Sequence, residues 1–76
     1  MNIPTGFKLI RQNECLLEFK SAYHFWCIYY SYEHVMLVHK YNLSDEYHKQ
    51  GIFADSAHVI RYVKRHDIAY ARRINT

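Results

Sequence analysis

Six histidines (His24, His34, His39, His48, His58, His66) and two cysteines (Cys15, Cys27) are the side chains here that could hold a metal or carry a nucleophile. Four of them would make a zinc site, but zinc ligands come in tight, recurrent spacings. The chain has no Cys-x-x-Cys and no zinc-finger pattern, and its close pairs are His24-x-x-Cys27 and His34-x₄-His39. On a strand, residues three apart point to opposite faces, so His24 and Cys27 diverge. The sequence therefore assigns no metal and no cofactor, and places the histidines at surfaces and edges.

Nucleophilic chemistry fares no better. A hydrolase needs a nucleophile, a base and an orienting group in one place. Cys27, between Trp26 and Ile28, has the surroundings of an inert buried thiol. No glycine-rich loop offers a phosphate cradle or a dinucleotide fingerprint. His58, Arg61, Arg65 and Tyr70 are a composition that a small ribonuclease could use, as acid, base and charge-neutralising groups. The same residues make an ordinary anion-binding face, and no catalytic residue is assigned.

Charge is the most telling feature. From Ser56 to Thr76 there are five cations (Arg61, Lys64, Arg65, Arg72, Arg73) and one acid, Asp67. The preceding 55 residues carry five cations and six acids, so the net charge of +3 arises in the C-terminal segment. Such a concentration favours an acidic partner, nucleic acid or protein. Nucleic acid is the alternative: the cations would contact phosphates while Tyr62 and Tyr70 stack on bases. Against it, no helix-turn-helix, RNP or KH pattern is present, and a pI near 9.0 is marginal.

A protein partner is the leading expectation. The chain has eight Tyr, four Phe and one Trp, more rings than a core of this size can hide. Tyrosine and arginine are the side chains that most often dominate interface energy. The expected surface comprises Arg61, Tyr62, Lys64, Arg65, Tyr70, Arg72 and Arg73, with Tyr47 nearby. A small domain without linker, cofactor motif or active site suits a stoichiometric inhibitor or adaptor. Anti-CRISPR proteins, which inhibit a host defence nucleoprotein, offer an analogy of size and surface; no family motif is present. Self-association through an exposed strand edge, giving a homodimer, is a further arrangement the pattern allows.

Length and composition set the frame. Seventy-six residues make one domain, 1–76, with a small core, since a chain this size buries only about 60% of its unfolded surface. Half the residues are apolar or aromatic and only three are Gly or Pro, which excludes a disordered or low-complexity chain. Residues 1–6 lack the pattern of a signal peptide, and the longest strongly apolar run, Phe25 to Tyr30, is far short of a membrane span. Two cysteines are too few for a disulfide framework. The expectation is a cytoplasmic protein with reduced thiols (host cytoplasm if phage-encoded), not bound to membrane.

The pattern predicts α+β architecture. Residues 7–12 and 15–20 alternate in period two around a turn at Asn13-Glu14, a hairpin with both strands half buried. The segment from Tyr23 to Tyr32 is crowded with β-favouring aromatics and reads as a central strand. Residues 33–41 read as its antiparallel neighbour, with one long helix as the competing reading because the turn at 31–34 lacks Gly and Asn. Ser44 would cap a short helical turn over residues 45–50, ended by Gly51. Ile52 and Phe53 are a short extended piece, and Asp55 or Ser56 caps a helix over 56–66 with Ala57, Ile60 and Val63 inward. Residues 68–74 alternate and read as a final strand. An antiparallel sheet of four to five strands with the helix on one face is expected.

Overall fold

The computed structural model describes residues 3–75. Met1, Asn2 and Thr76 lie outside them, so the expectation drawn from residues 1–6 falls partly outside the described residues. Among the described residues there are five strands and one helix: β1 (Lys8–Gln12), β2 (Leu16–Lys20), β3 (Phe25–Tyr30), β4 (Val35–Lys40), β5 (His48–Phe53) and α1 (Ser56–Ile74). The strands form one antiparallel sheet in the order β1-β2-β3-β4-β5, so every strand pairs with its neighbours in sequence. No helix among the described residues is long and apolar enough to cross a membrane.

The hairpins follow from local chemistry. Asn13 Oδ1 accepts the backbone N–H groups of Cys15 (2.7 Å) and Leu16 (3.0 Å), which turns β1 into β2. The β3–β4 turn manages without Gly or Asn. Ser31 donates both its N–H (3.0 Å) and its hydroxyl (2.9 Å) to the carbonyl of His34, which settles this segment as a hairpin rather than a helix.

Period two then sorts the sheet into two faces. Leu17, Phe19, Trp26, Ile28, Val35 and Leu37 point to one side and close over Val59 and Val63 of α1 to form the main core. Leu17, Ile28 and Leu37 lie in register across three strands, as do Phe19, Trp26 and His39. The other face buries a smaller cluster, Leu16, Cys27 and Val38, with Met36 and Tyr47 against it. The Tyr47 hydroxyl donates to Glu18 Oε2 at 2.7 Å, and Glu18 also pairs with Arg11 at 3.3 Å.

Four expectations are corrected. The final strand over residues 68–74 is the second half of α1, which runs unbroken to Ile74. Val59, Val63, His66, Asp67 and Tyr70 recur at helical spacing on its inner side, and no Gly or Pro intervenes. Alternation over seven residues was a coincidence that tertiary packing overrode. Second, the inner stripe passes through Val59 rather than Ala57, which is exposed. Third, residues 45–50 make no helical turn. Asp45 closes an Asn42–Asp45 turn, accepting the Asn42 N–H at 3.1 Å, and His48 onward is taken by the free edge of β4. Fourth, β1 is exposed along its whole length rather than half buried. It is the sheet edge away from β5, and α1 lies at the β5 side, where Gln50 Nε2 donates to the Tyr62 hydroxyl at 2.6 Å.

Asp55 is the helix N-cap. Its Oδ1 accepts the His58 N–H at 3.0 Å and lies 2.7 Å from the His58 ring. These bonds hold its carboxyl below the ordinary carboxylate range. Asp55→Ala is expected to lower Tm by a few degrees while Asp55→Asn keeps most of it, measured by thermal circular dichroism; equal Tm for Ala and wild type would remove the cap from the account.

Candidate functional site

Two groups of side chains on α1 have functional geometry, one facing out and one facing in. The outer group is the basic face. Arg61, Lys64, Arg65 and Arg72 are exposed; Lys64 and Arg65 stand three and four residues after Arg61, and Arg72 seven after Arg65, the spacings that share a helix side. As strand residues, Arg72 and Arg73 would have pointed apart. As helix residues, Arg72 joins Arg61 and Arg65 in one stripe, and Arg73, one position further on, falls to its side. Among the described residues no carboxylate lies within ion-pair distance of Arg61, Lys64, Arg65 or Arg72. Ile68, 54% exposed, sits inside this stripe.

At the start of the stripe is a notch of about 210 Å³, lined by Phe53, His58, Arg61, Tyr62 and Arg65. Its floor is aromatic, with Phe53 and Tyr62 rings 5.2 Å apart, and its rim carries the two guanidinium groups. A carboxylate or phosphate oxygen fits the rim, with an apolar stem against the floor.

Of the tyrosines of the expected surface, Tyr62 lines the notch, while Tyr70 and Tyr47 lie elsewhere. Tyr62 is half buried, its ring against Phe53 and Trp26. Tyr70 is half buried, 4.4 Å from the His24 ring and 5.1 Å from Tyr23. Tyr47 is on the opposite face of the sheet, under Lys40, whose ammonium lies 4.5 Å from its ring. Outside the notch, the outer face is thus cationic and aliphatic rather than aromatic.

The inner group is a cluster of histidines. His24 precedes β3, His39 lies on the helix-facing side of β4 and His66 on the inner side of α1. One ring nitrogen from each lies within 4.8 Å of the other two. His24 is 2% and His39 1% exposed. Both ring nitrogens of His24, His39 Nε2 and His66 Nδ1 are buried and lack any hydrogen-bond partner among the described residues. Each such group costs about 1–3 kcal/mol, a heavy burden for a domain whose whole stability is about 4–11 kcal/mol. Nδ1 of His39 is hydrogen-bonded to Nε2 of His48 at 3.2 Å. Burial, then the neighbouring rings of His24, His66 and His48, lower the His39 pKa to about 4. Burial also lowers His24 and His66, with Asp67 opposing the shift in both.

A polar relay holds α1 beside this cluster. Asp67 accepts from the Ser21 hydroxyl (2.9 Å) and the Ala22 N–H (3.2 Å), and Ser21 accepts from Trp26 Nε1 (2.8 Å).

No spacing rule finds the histidine group. Its members stand 15 and 27 positions apart, on a turn, a strand and a helix. Two faint signals exist: His39 continues the parity of Val35 and Leu37, and His66 follows Val59 and Val63 at helical spacing. Cys27 takes no part. It lies on the far face of the sheet, where burial raises its thiol pKa.

The fold and its outer face define a class: a small α+β domain in which an antiparallel meander carries one long amphipathic helix with a cationic outer side. No protein family, curated protein or solved structure matches the chain.

Proposed function

We propose that this chain is a small, non-enzymatic binding protein whose α1 outer face takes an acidic protein surface, as a stoichiometric inhibitor or adaptor. The observation that carries this is the stripe itself, Arg61, Lys64, Arg65 and Arg72 around an exposed Ile68, with no carboxylate of the described residues paired to those cations. An aliphatic residue ringed by arginines has the composition of an interface centre, where an apolar anchor is surrounded by groups that pair with the partner. A phosphate backbone gains nothing from Ile68. Base stacking would need exposed rings, whereas Tyr70 packs on His24 and Tyr62 and Phe53 reach the surface only within the small notch. The notch between Arg61 and Arg65 supplies the place for one partner Asp or Glu.

The biological setting is that of a cytoplasmic inhibitor, phage- or mobile-element-encoded, acting on a host nucleoprotein or defence complex. It rests on analogy of size and surface. A nucleoprotein target presents acidic side chains where nucleic acid does not cover it, and its nucleic-acid channel is itself cationic. The proposed contact is therefore with the acidic exterior.

The test is capture of partners from bacterial lysate by the tagged chain, with and without nuclease. A discrete protein that survives nuclease, and is lost with Arg65→Glu and with Ile68→Asp, supports the proposal. Each substitution is expected to weaken the purified complex by about 2 kcal/mol or more, roughly 30-fold in Kd. Lys8→Glu on β1 should leave binding unchanged. Partners that vanish with nuclease, with affinity falling steeply in salt, would instead make the stripe a phosphate-binding surface.

A further inference from the structure

We propose that His24, His39 and His66 bind one divalent metal ion of the zinc class, which clamps α1 to the sheet. The residues supply what such an ion needs. Three neutral imidazoles are borderline donors that suit Zn²⁺, Co²⁺, Ni²⁺ and Cu²⁺. Metal–nitrogen bonds of about 2.0–2.1 Å place ligand nitrogens about 3.4 Å apart in a tetrahedron, so nitrogens within 4.8 Å of one another need only small ring rotations.

Three independent observations point the same way. The first is the set of orphaned nitrogens. Imidazole nitrogens that are buried without partners are rare, and a metal accounts for one on each ring: His39 Nε2, His66 Nδ1 and one of the two on His24. The second is the outer hydrogen bond of His39. Metal-bound histidines commonly donate their other N–H to a fixed acceptor, which sets the tautomer. His39 Nδ1 has that partner in His48 Nε2 at 3.2 Å, leaving Nε2 as the inward lone pair. The third is charge. Asp67, next to His66 on the buried side of α1, is held by Ser21 and Ala22, which stand just before His24 in the chain. A carboxylate at this place offsets part of the charge of a buried dication.

The ligands come from three parts of the chain: the turn before β3, the inner face of β4 and the middle of α1. One ion would cross-link all three in a chain with a small core, where a metal is a common substitute for missing apolar burial. This site lies on the inner side of α1, away from the Arg61–Arg72 stripe, so metal binding and partner binding can be measured separately.

The experiment uses the full chain without a histidine tag, stripped with a chelator and then titrated with Co²⁺ and Zn²⁺. The expected result is one Co²⁺ per chain, with visible absorption of low-coordinate nitrogen ligation that Zn²⁺ abolishes. Zn²⁺ at 100 times its Kd should raise Tm by about 10 °C or more. His66→Gln should weaken metal binding by about 100-fold or more, and His48→Ala, which removes only the outer hydrogen bond, by about 10-fold. His34→Gln and His58→Gln, at exposed positions, should bind as wild type. His48 is exposed, so its variant gives a reading even where His66→Gln fails to fold. Unchanged Tm with Zn²⁺ and no Co²⁺ absorption would overturn the proposal. So would binding lost with His34 or His58 instead of His66.

Discussion

Trp26→Ala is expected to lower the stability of the chain by about 3–5 kcal/mol. Trp26 is the largest fully buried side chain, and it serves three structures at once. It fills the core beside Phe19, its cross-strand partner. It donates to Ser21, which in turn donates to Asp67 of α1. It also walls the histidines, its ring 4.4 Å from His39 and 5.0 Å from His66. Truncating a buried Trp costs about 3–5 kcal/mol from lost burial and cavity. A domain of this length has about 4–11 kcal/mol in all, so the loss takes most of the lower part of that range. Trp26→Phe keeps most of the ring but leaves Ser21 without its donor, and should cost about 1–2 kcal/mol. Far-UV circular dichroism in urea separates the two, since neither variant has a tryptophan to fluoresce. A Trp26→Ala midpoint close to wild type would mean that the core is held elsewhere.

The second large effect is acid unfolding of the metal-free chain between about pH 6.5 and pH 4. Well above 6.5, His24, His39 and His66 are neutral in both folded and unfolded chains and contribute nothing to the pH dependence. Below 6.5 the unfolded chain takes up protons that the folded chain refuses, because burial and the adjacent rings hold His39 down to about 4. Stability therefore falls with falling pH across that window, and His39 alone accounts for about 3 kcal/mol. His24 and His66 are lowered too and add to the fall. The charges around them are mixed: Lys20 and Arg73 push the pair down and Asp67 pushes it up. Urea midpoints followed by Trp26 fluorescence at each pH read the slope directly. His39→Phe, similar in volume but without a titrating group, should flatten it. A wild-type midpoint unchanged from pH 6.5 to 4 would show that the rings are protonated in the fold. The Asp55 cap is lost only as pH falls below its ordinary value of 3.8, so the two transitions do not overlap.

Strands β1 to β4 were legible because they obey period two, with Asn13 marking the first turn; the Ser31 turn, without Gly or Asn, left a helix open, and β5 was hidden because residues 45–50 read as a helical turn. The second half of α1 was not legible, because Ile68, Tyr70, Arg72 and Ile74 satisfy both periods over so short a stretch. What decided it was Asp67, whose partners Ser21 and Ala22 lie about 45 residues away, beyond the reach of any window. That misreading propagated: in a strand, Arg72 and Arg73 diverge, whereas in the helix Arg72 extends the basic stripe. The cations themselves were visible from charge alone. The histidine group was invisible for the opposite reason, since its unity exists only after three elements have packed.

The strand order β1-β2-β3-β4-β5 also has a consequence in time. Each strand can pair as soon as the next one exists, so the sheet can zip from hairpin to hairpin through short loops, which favours fast folding. The cover arrives last: during synthesis Leu17, Phe19, Trp26, Ile28 and Leu37 line a bare sheet until residues 56–74 emerge. The nascent chain is thus at its stickiest just before residues 56–74 emerge, and the arrival of α1 closes the core and creates the basic stripe in the same step.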